Sequence, residues 1–287
     1  MECVVAIDVG GTTMKGGLVS DGTVLHAEHR PTPRAEGAAA VIAAISAFVA
    51  DLAAPRGELR PTAVGLAVPG LVTPTHAVFS AAFGWRDVPA AAFADVPLPV
   101  VLGHDVRAAG EAELRYGAAR AVPNVLFLPI GTGIAGALAI NGSLYGGAAG
   151  WAGQIGHIPV HPDGLACGCG QRGCLAAYAS ASSIAARCGE SSAAAVLART
   201  DHAARQVWDE AVDALALALA TYTLLLDPAM VVIGGGLAQA GEALVGPLRT
   251  RLAARLAFRH APRVEVSALG TQAGLLGAAL LANRATV

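Results

Sequence analysis

A chain of 287 residues with 19 basic and 21 acidic side chains, net charge −2, gives no electrostatic case for nucleic acid or an anionic membrane as partner. Hydrophobic residues make up 54% of it but aromatics only 5%, so alanine, valine and leucine must build the core. The length suits two domains of ordinary size.

The opening MECVVAIDVGG has neither a basic n-region nor a long apolar h-region. The longest apolar run, 211–226, is interrupted by Asp213, Thr221 and Thr223 and falls short of the roughly 20 residues that span a bilayer. The expectation is a cytoplasmic protein with reduced thiols.

In chain order, residues 4–7 form an apolar strand that runs into Asp8, Gly10, Gly11 and Thr12. A second strand at 16–19, a tight turn at Asp21-Gly22 and a third strand at 23–26 complete a meander. A helix over 36–53 follows, then a buried strand at 63–68 closed by Pro69-Gly70. A brief strand at 100–102 delivers Gly103-His104-Asp105 ahead of a helix over 108–116. At Val125 the pattern restarts: strand 125–130, the turn Gly131-Thr132-Gly133, strand 135–140, the turn Asn141-Gly142, and a third strand from Ser143. The same unit therefore opens both halves, an internal repeat with its glycine turn in the same place. Helices over 181–188 and 201–226, a buried strand at 230–233 running into Gly234-Gly235-Gly236, a helix over 241–257, a strand at 264–266 and a helix over 272–282 close the chain.

Within the second half lies HIPVHPDGLACGCGQRGC, with His157, Cys167, Cys169 and Cys174 spaced H-x9-C-x-C-x4-C. One imidazole and three thiolates are the closed N/S set of a structural zinc site. Gly168, Gly170 and Gly173 would let the loop fold back on itself. A disulfide fits poorly with the absence of an export signal and the scattered Cys3 and Cys188.

Glycine turns after buried strands let backbone N–H groups approach an anion, so 8–13, 131–133 and 234–236 are candidate phosphate cradles. Asp8 is either a hard-oxygen donor to Mg²⁺ through water or a turn-capping residue. Asp105 is either a general base for an attacking hydroxyl or a helix N-cap.

Taken together, AIDVGGTTMKGGLV, GHDVRAAGEAE, LPIGTGIAGALAINGSLYGGAAGWAGQIGHIPV, CGCGQRGCLAAYAS and VVIGGGLAQAG resemble, in that order, the ROK family of bacterial sugar kinases and repressors. The resemblance covers nearly the whole chain. It implies an α/β fold of the two-domain, actin-like, ribonuclease H-like duplicated kind with an interdomain cleft. The expected domains are 1–117, 118–270 with the zinc loop, and a helical segment 271–287 returning to the first. It implies that Asp8, Gly10, Gly11, Thr12, Thr13, Gly131, Thr132 and Gly133 bind the phosphates of Mg-ATP and that Gly234, Gly235 and Gly236 lie by the adenosine. Asp105 would be the catalytic base and Gly70, His104, Asp105, Gln154 and His157 would meet the acceptor. His157, Cys167, Cys169 and Cys174 match the family's zinc ligands. Repressors of this family carry a helix-turn-helix before the nucleotide motif, which here begins at residue 8, so a kinase is expected. Family members are often dimers or tetramers, and either state is possible here.

The chain departs from the family on the acceptor side. The usual Asn-Asp is His104-Asp105, the usual Ala-Gly-Glu-Ile-Gly-His has Gln154, the glutamate after the last cysteine is Ala176, and the Asn before Trp85 is Ala82. Loss of such partners removes discrimination worth several kcal/mol, on the order of what unpaired polar groups cost. The expectation is an active ATP-dependent kinase whose acceptor is hexose-like, a modified sugar or C7-cyclitol in place of glucose. The alternatives are an ordinary glucokinase, an amino-sugar kinase and a non-catalytic sugar-binding regulator. His104 either hydrogen-bonds the acceptor or fills the asparagine's place.

Overall fold

The computed structural model describes residues 1–285. The chain divides into two compact units, Met1–Tyr116 with the chain from Thr271 onward, and Gly117–Gly270.

In the first unit β1 (Glu2–Val9), β2 (Thr13–Ser20) and β3 (Thr23–Pro31) form the antiparallel meander. After a 3₁₀ turn at Arg34–Glu36 comes α1 (Ala38–Ala53), whose Val41, Ile45, Phe48, Val49 and Leu52 recur every three or four residues and are fully buried. β4 (Arg60–Val68) runs parallel to β1. β5 (Leu71–Val72), β6 (His76–Ser80) and β7 (Trp85–Pro89) make a small separate sheet that no periodicity announced. Its Trp85 packs against Phe83 and edge-on to Phe93. β8 (Val100–His104) joins the main sheet beside β4, giving the order β3-β2-β1-β4-β8, and leads directly into α2 (Asp105–Tyr116). The helix starts three residues before the expected Ala108, so Asp105 is its first residue and His104 holds the cap position.

The second unit repeats the order. β9 (Val125–Pro129), β10 (Ala137–Ile140) and β11 (Ser143–Tyr145) are antiparallel neighbours. β10 begins two residues later than the alternation suggests because the Gly136 N–H is drawn to the Gly153 carbonyl, 2.6 Å away. The zinc loop leads to α3 (Leu175–Ala179), α4 (Ala181–Arg187) and α5 (Ala193–Ala198), and then to α6 (His202–Leu226). Asp201 caps α6 by accepting the Ala204 N–H at 3.2 Å, and Asp227 ends it in the left-handed region just before Pro228. β12 (Met230–Gly234), α7 (Glu242–Ala254) and β13 (Arg263–Val266) complete the sheet, ordered β11-β10-β9-β12-β13. α7 is shorter than the expected 241–257.

The last helix, α8 (Ala273–Asn283), belongs to the first unit and packs on α2, β4 and β1. Its small residues are a packing requirement. A Cβ on Gly65 of β4 would lie 1.9 Å from the Ala278 carbonyl, and one on Gly277 would lie 2.2 Å from the backbone of Ala108.

Candidate active site

The ends of β1, β4 and β8 form one edge of the first sheet. Asp8 pairs with Lys15 across β2 and with Ala67 across β4. It is therefore a ladder residue, its backbone paired on both sides. Ala67 in turn pairs with Gly103, so Asp8 and Gly103 lie two strands apart, about 10 Å between backbones at ordinary strand spacing, and Asp105 follows two residues beyond. Burial lifts the Asp8 carboxyl to about 6; Asp105 adds to the shift and Lys15 opposes it. Burial also lifts Asp105 to about 6, against the Val106 N–H and the charge of Arg107. The Asp105 side chain remains 27% exposed, so it is desolvated yet reachable.

The turn after β1 is tied down from outside. Thr32 Oγ1 donates to the Gly10 carbonyl at 2.8 Å, and the Thr32 N–H donates to the Thr12 carbonyl. A side chain on Gly10 would strike the Thr13 carbonyl at 2.7 Å, whereas Gly11 faces open space. Gly70 has φ +115°, and a Cβ there would meet the Phe79 carbonyl at 2.1 Å. The fold alone therefore requires that glycine, whatever else it touches.

In the second unit the turn 131–133 closes on itself through the Gly131 N–H and the Gly133 carbonyl. It is held against α4 by Ala181 N–H to the Gly131 carbonyl and by Ser182 Oγ to the Thr132 carbonyl at 2.6 Å. Gly131, Gly133 and Gly236 each face open space where a Cβ would stand. Nothing within the protein requires them to be glycine, which is what a cradle for close anion approach looks like. Gly235 differs: at φ +73° its Cβ would meet the Ile130 carbonyl at 2.5 Å. A Cβ on Gly234 would crowd the Phe127 ring.

Beside Gly236 lies a mainly apolar slot of about 370 Å³. Ala193, Leu197, Trp208 and Leu237 form its walls, with Ser192 and Gln239 as polar lining. Sequence reading missed it because its walls come from separate helices and a turn, and no spacing pattern joins them.

The four zinc-ligand candidates converge, with all ligand atoms within 4.8 Å of one another. Cys167 Sγ is 3.8 Å from His157 Nδ1, and Cys169 Sγ is 3.7 Å from Cys174 Sγ. A tetrahedral Zn²⁺ with Zn–S near 2.3 Å and Zn–N near 2.1 Å needs donor separations of about 3.6–3.8 Å, so the set fits the ion. Burial pushes the Cys174 thiol up to about 12, with the neighbouring sulfurs adding to it, and a divalent cation relieves that burden. Of the three loop glycines, Gly170 and Gly173 have positive φ while Gly168 does not. A Cβ on Gly173 would sit 1.6 Å from the His161 carbonyl. Tyr178 braces the loop from α3, accepting the Leu165 N–H at 2.8 Å with its ring against His161. Gln154 joins the same corner through its carbonyl, which accepts the His157 N–H. Gly153 and Gly156 upstream let the segment press onto the carbonyls of Gly136 and Ile134.

The ROK family model matches residues 4–285. The glucokinase of Thermotoga maritima is 35% identical over 306 aligned positions, covering 96% of each chain. The N-acetylmannosamine kinase of Haemophilus influenzae is 27% identical over 97% of this chain and 94% of its own. The crystal structure of a ROK family glucokinase from Streptomyces griseus in complex with glucose and AMPPNP superposes with a TM-score of 0.85 at 30% identity, covering 98% of this chain and 99% of that one. The fold is thus the two-domain, actin-like, ribonuclease H-like duplication, the scaffold of sugar kinases. The chain belongs to the ROK family. Among the described residues no helix is long and apolar enough to cross a membrane.

Proposed function

We propose that this protein is an ATP-dependent kinase that transfers the γ-phosphate to a hydroxyl of a hexose-like acceptor, a modified sugar or C7-cyclitol in place of glucose. The observation that carries the kinase reading is Asp105, a desolvated and partly exposed carboxylate at the head of α2 on the sheet edge that also holds Asp8. A carboxylate lifted to about 6 is ionised at neutral pH and still a better base than an ordinary aspartate. Family membership and the glucokinases among its relatives support the reaction class.

In this reading the open space at Gly11, Gly133 and Gly236 allows phosphate oxygens to approach the backbone, the Gly131 N–H being held by the Gly133 carbonyl, and the slot beside Gly236 takes the adenine with Trp208 as one wall. Mg²⁺ enters with ATP and neutralises phosphate charge, with Asp8 as the hard oxygen donor that would hold it through water. Asp105 takes the acceptor's proton. A zinc ion held by His157, Cys167, Cys169 and Cys174 would fix this loop and leave His157 Nε2 to meet the acceptor, since Nδ1 faces the thiols.

The acceptor reading rests on His104, Gln154, Ala176 and Ala82, which depart from the family pattern that the sequence resembles. Ala82 is exposed and Ala176 half-buried, and neither can replace a hydrogen bond. The test is ATP consumption with a panel of hexoses, amino sugars and cyclitols. Phosphorylation of a cyclitol or modified hexose with poor efficiency on glucose is expected. Efficient glucose turnover defeats the acceptor reading, and no turnover with any acceptor turns the protein into a sugar-binding regulator.

A further inference from the structure

His104 ends β8 at the cap position of α2, and its side chain is about one-tenth exposed. Its Nδ1 accepts the Arg107 N–H at 3.4 Å, the bond a capping side chain makes to the third helical residue. A ring nitrogen that accepts carries no proton, so the neutral imidazole keeps its proton on Nε2. The same Nδ1 lies 3.3 Å from Asp105 Oδ1, an oxygen that accepts the Val106 N–H at 2.7 Å. With Asp105 ionised, two lone pairs face each other. With Asp105 protonated, its O–H can take the one Nδ1 lone pair in place of the long, weak bond from the Arg107 N–H. Burial, with Arg107 adding to it, holds His104 down at about 4, so the carboxyl takes a proton before the ring does.

We propose that His104 is a positioning residue for the base, its Nδ1 lone pair receiving as a hydrogen bond the proton that Asp105 removes from the acceptor. This rests on the reading of Asp105 as base. As the acceptor oxygen bonds to the γ-phosphorus and the bond from phosphorus to ADP breaks, the acceptor O–H breaks and an Asp105 O–H forms. Rotation of the carboxyl exchanges its two oxygens, which turns the new O–H toward Nδ1 and leaves the Val106 N–H an acceptor. The proton passes to solvent after product leaves. His104 stays neutral throughout.

The charged groups that face Asp105 are few. Asp8 approaches from β1 and Arg107 from α2 itself. β4 beyond Arg60 and the whole of α8 carry no ionisable side chain. Lys15 of β2 acts on Asp8. The Val106 N–H and the charge of Arg107 favour ionised Asp105, and the His104 contact is the one that favours the protonated form.

The test uses the intact protein. Nitrogen NMR of ¹⁵N-histidine-labelled protein is expected to find the His104 proton on Nε2 at neutral pH; a proton on Nδ1 overturns the proposal. His104→Leu keeps the bulk and removes the acceptor, whereas His104→Asn keeps an acceptor at the cap. Carbon NMR of the Asp105 carboxyl is expected to show its proton affinity falling about tenfold in His104→Leu, a one-unit move of the midpoint, and much less in His104→Asn. The acid limb of kcat/KM should move to lower pH in step, with kcat reduced. A midpoint and limb that stay put in His104→Leu overturn the inference. If His104→Leu does not fold, the tautomer measurement on the unsubstituted protein still decides. Asp105→Asn in the same assay separates the two readings: retained turnover removes Asp105 as base, while a dead Asp105→Asn beside an unmoved His104→Leu removes only the role of His104.

Discussion

The two five-stranded sheets have the same strand order and the same directions, three antiparallel strands followed by two parallel ones, yet their edges differ in chemistry. Two residues before the glycine turn, β1 carries Asp8 where β9 carries Pro129. Beside Asp8 the neighbouring strand offers Ala67, and beside Pro129 it offers Gly234. The last strand of the first sheet ends in His104 and leads into Asp105, whereas that of the second ends in Val266 and leads into Ser267, with no carboxylate just past it. One edge is desolvated acid; the other is exposed backbone. Proton transfer needs the first and anion binding the second, and a duplicated scaffold can supply both once its side chains diverge.

The largest expected effect breaks the acidic edge. Asp105→Asn should lower kcat by about 10²–10⁴-fold, the usual share of a general base, with ATP affinity nearly unchanged by nucleotide titration. On the second unit, Cys169→Ser should remove the bound zinc, measured as loss of one metal per chain by elemental analysis. Amide exchange should then rise across 157–175, and a metal-free preparation of full stability contradicts the site.

The glycines sharpen the contrast inside the second unit. Gly235→Ala should cost about 1–3 kcal/mol in urea unfolding, since it forces a side chain into a strained backbone and an occupied space. Gly131→Ala, where the space is open, should leave stability within about 0.5 kcal/mol and instead raise the KM for ATP. Equal stability losses in both would erase the distinction between fold glycines and cradle glycines.

A pH titration separates the two edges more gently. Asp8 and Asp105 are each raised from an ordinary 3.8 to about 6, so the folded state binds their protons more tightly than the unfolded chain does. Their contribution to stability is fully present below about pH 3.8 and is lost as pH rises through about 6. Asp8→Asn should therefore raise Tm at pH 7.5 more than at pH 4.5, while activity of the unsubstituted protein falls below about pH 6. The smallest effect expected is Trp208→Ala, raising the KM for ATP about tenfold through lost stacking with kcat little changed.

Much of this was written in linear order. Alternating and continuous apolar runs placed the strands of both meanders, and the Asp-Gly and Asn-Gly turns joined them. The zinc ligands were legible because H-x9-C-x-C-x4-C puts all four donors on one short loop, where chain geometry alone brings them close. The small sheet β5-β6-β7 was not legible, because its strands are two to five residues long and its order depends on Trp85 finding Phe83 and Phe93. Nor was the slot at Trp208, whose walls lie far apart along the chain.

By itself, then, the order of residues determined which groups could do chemistry: a carboxylate after each of two strands, glycines after three, and four metal donors within 18 positions. Only the folded molecule decided what state those groups are in. It made Asp8 a ladder residue beside Lys15, put Asp105 and not Ala108 at the head of α2, and turned His104 Nδ1 toward the carboxyl. Desolvation and hydrogen bonding depend on neighbours brought in from distant segments, and those neighbours set a proton's affinity.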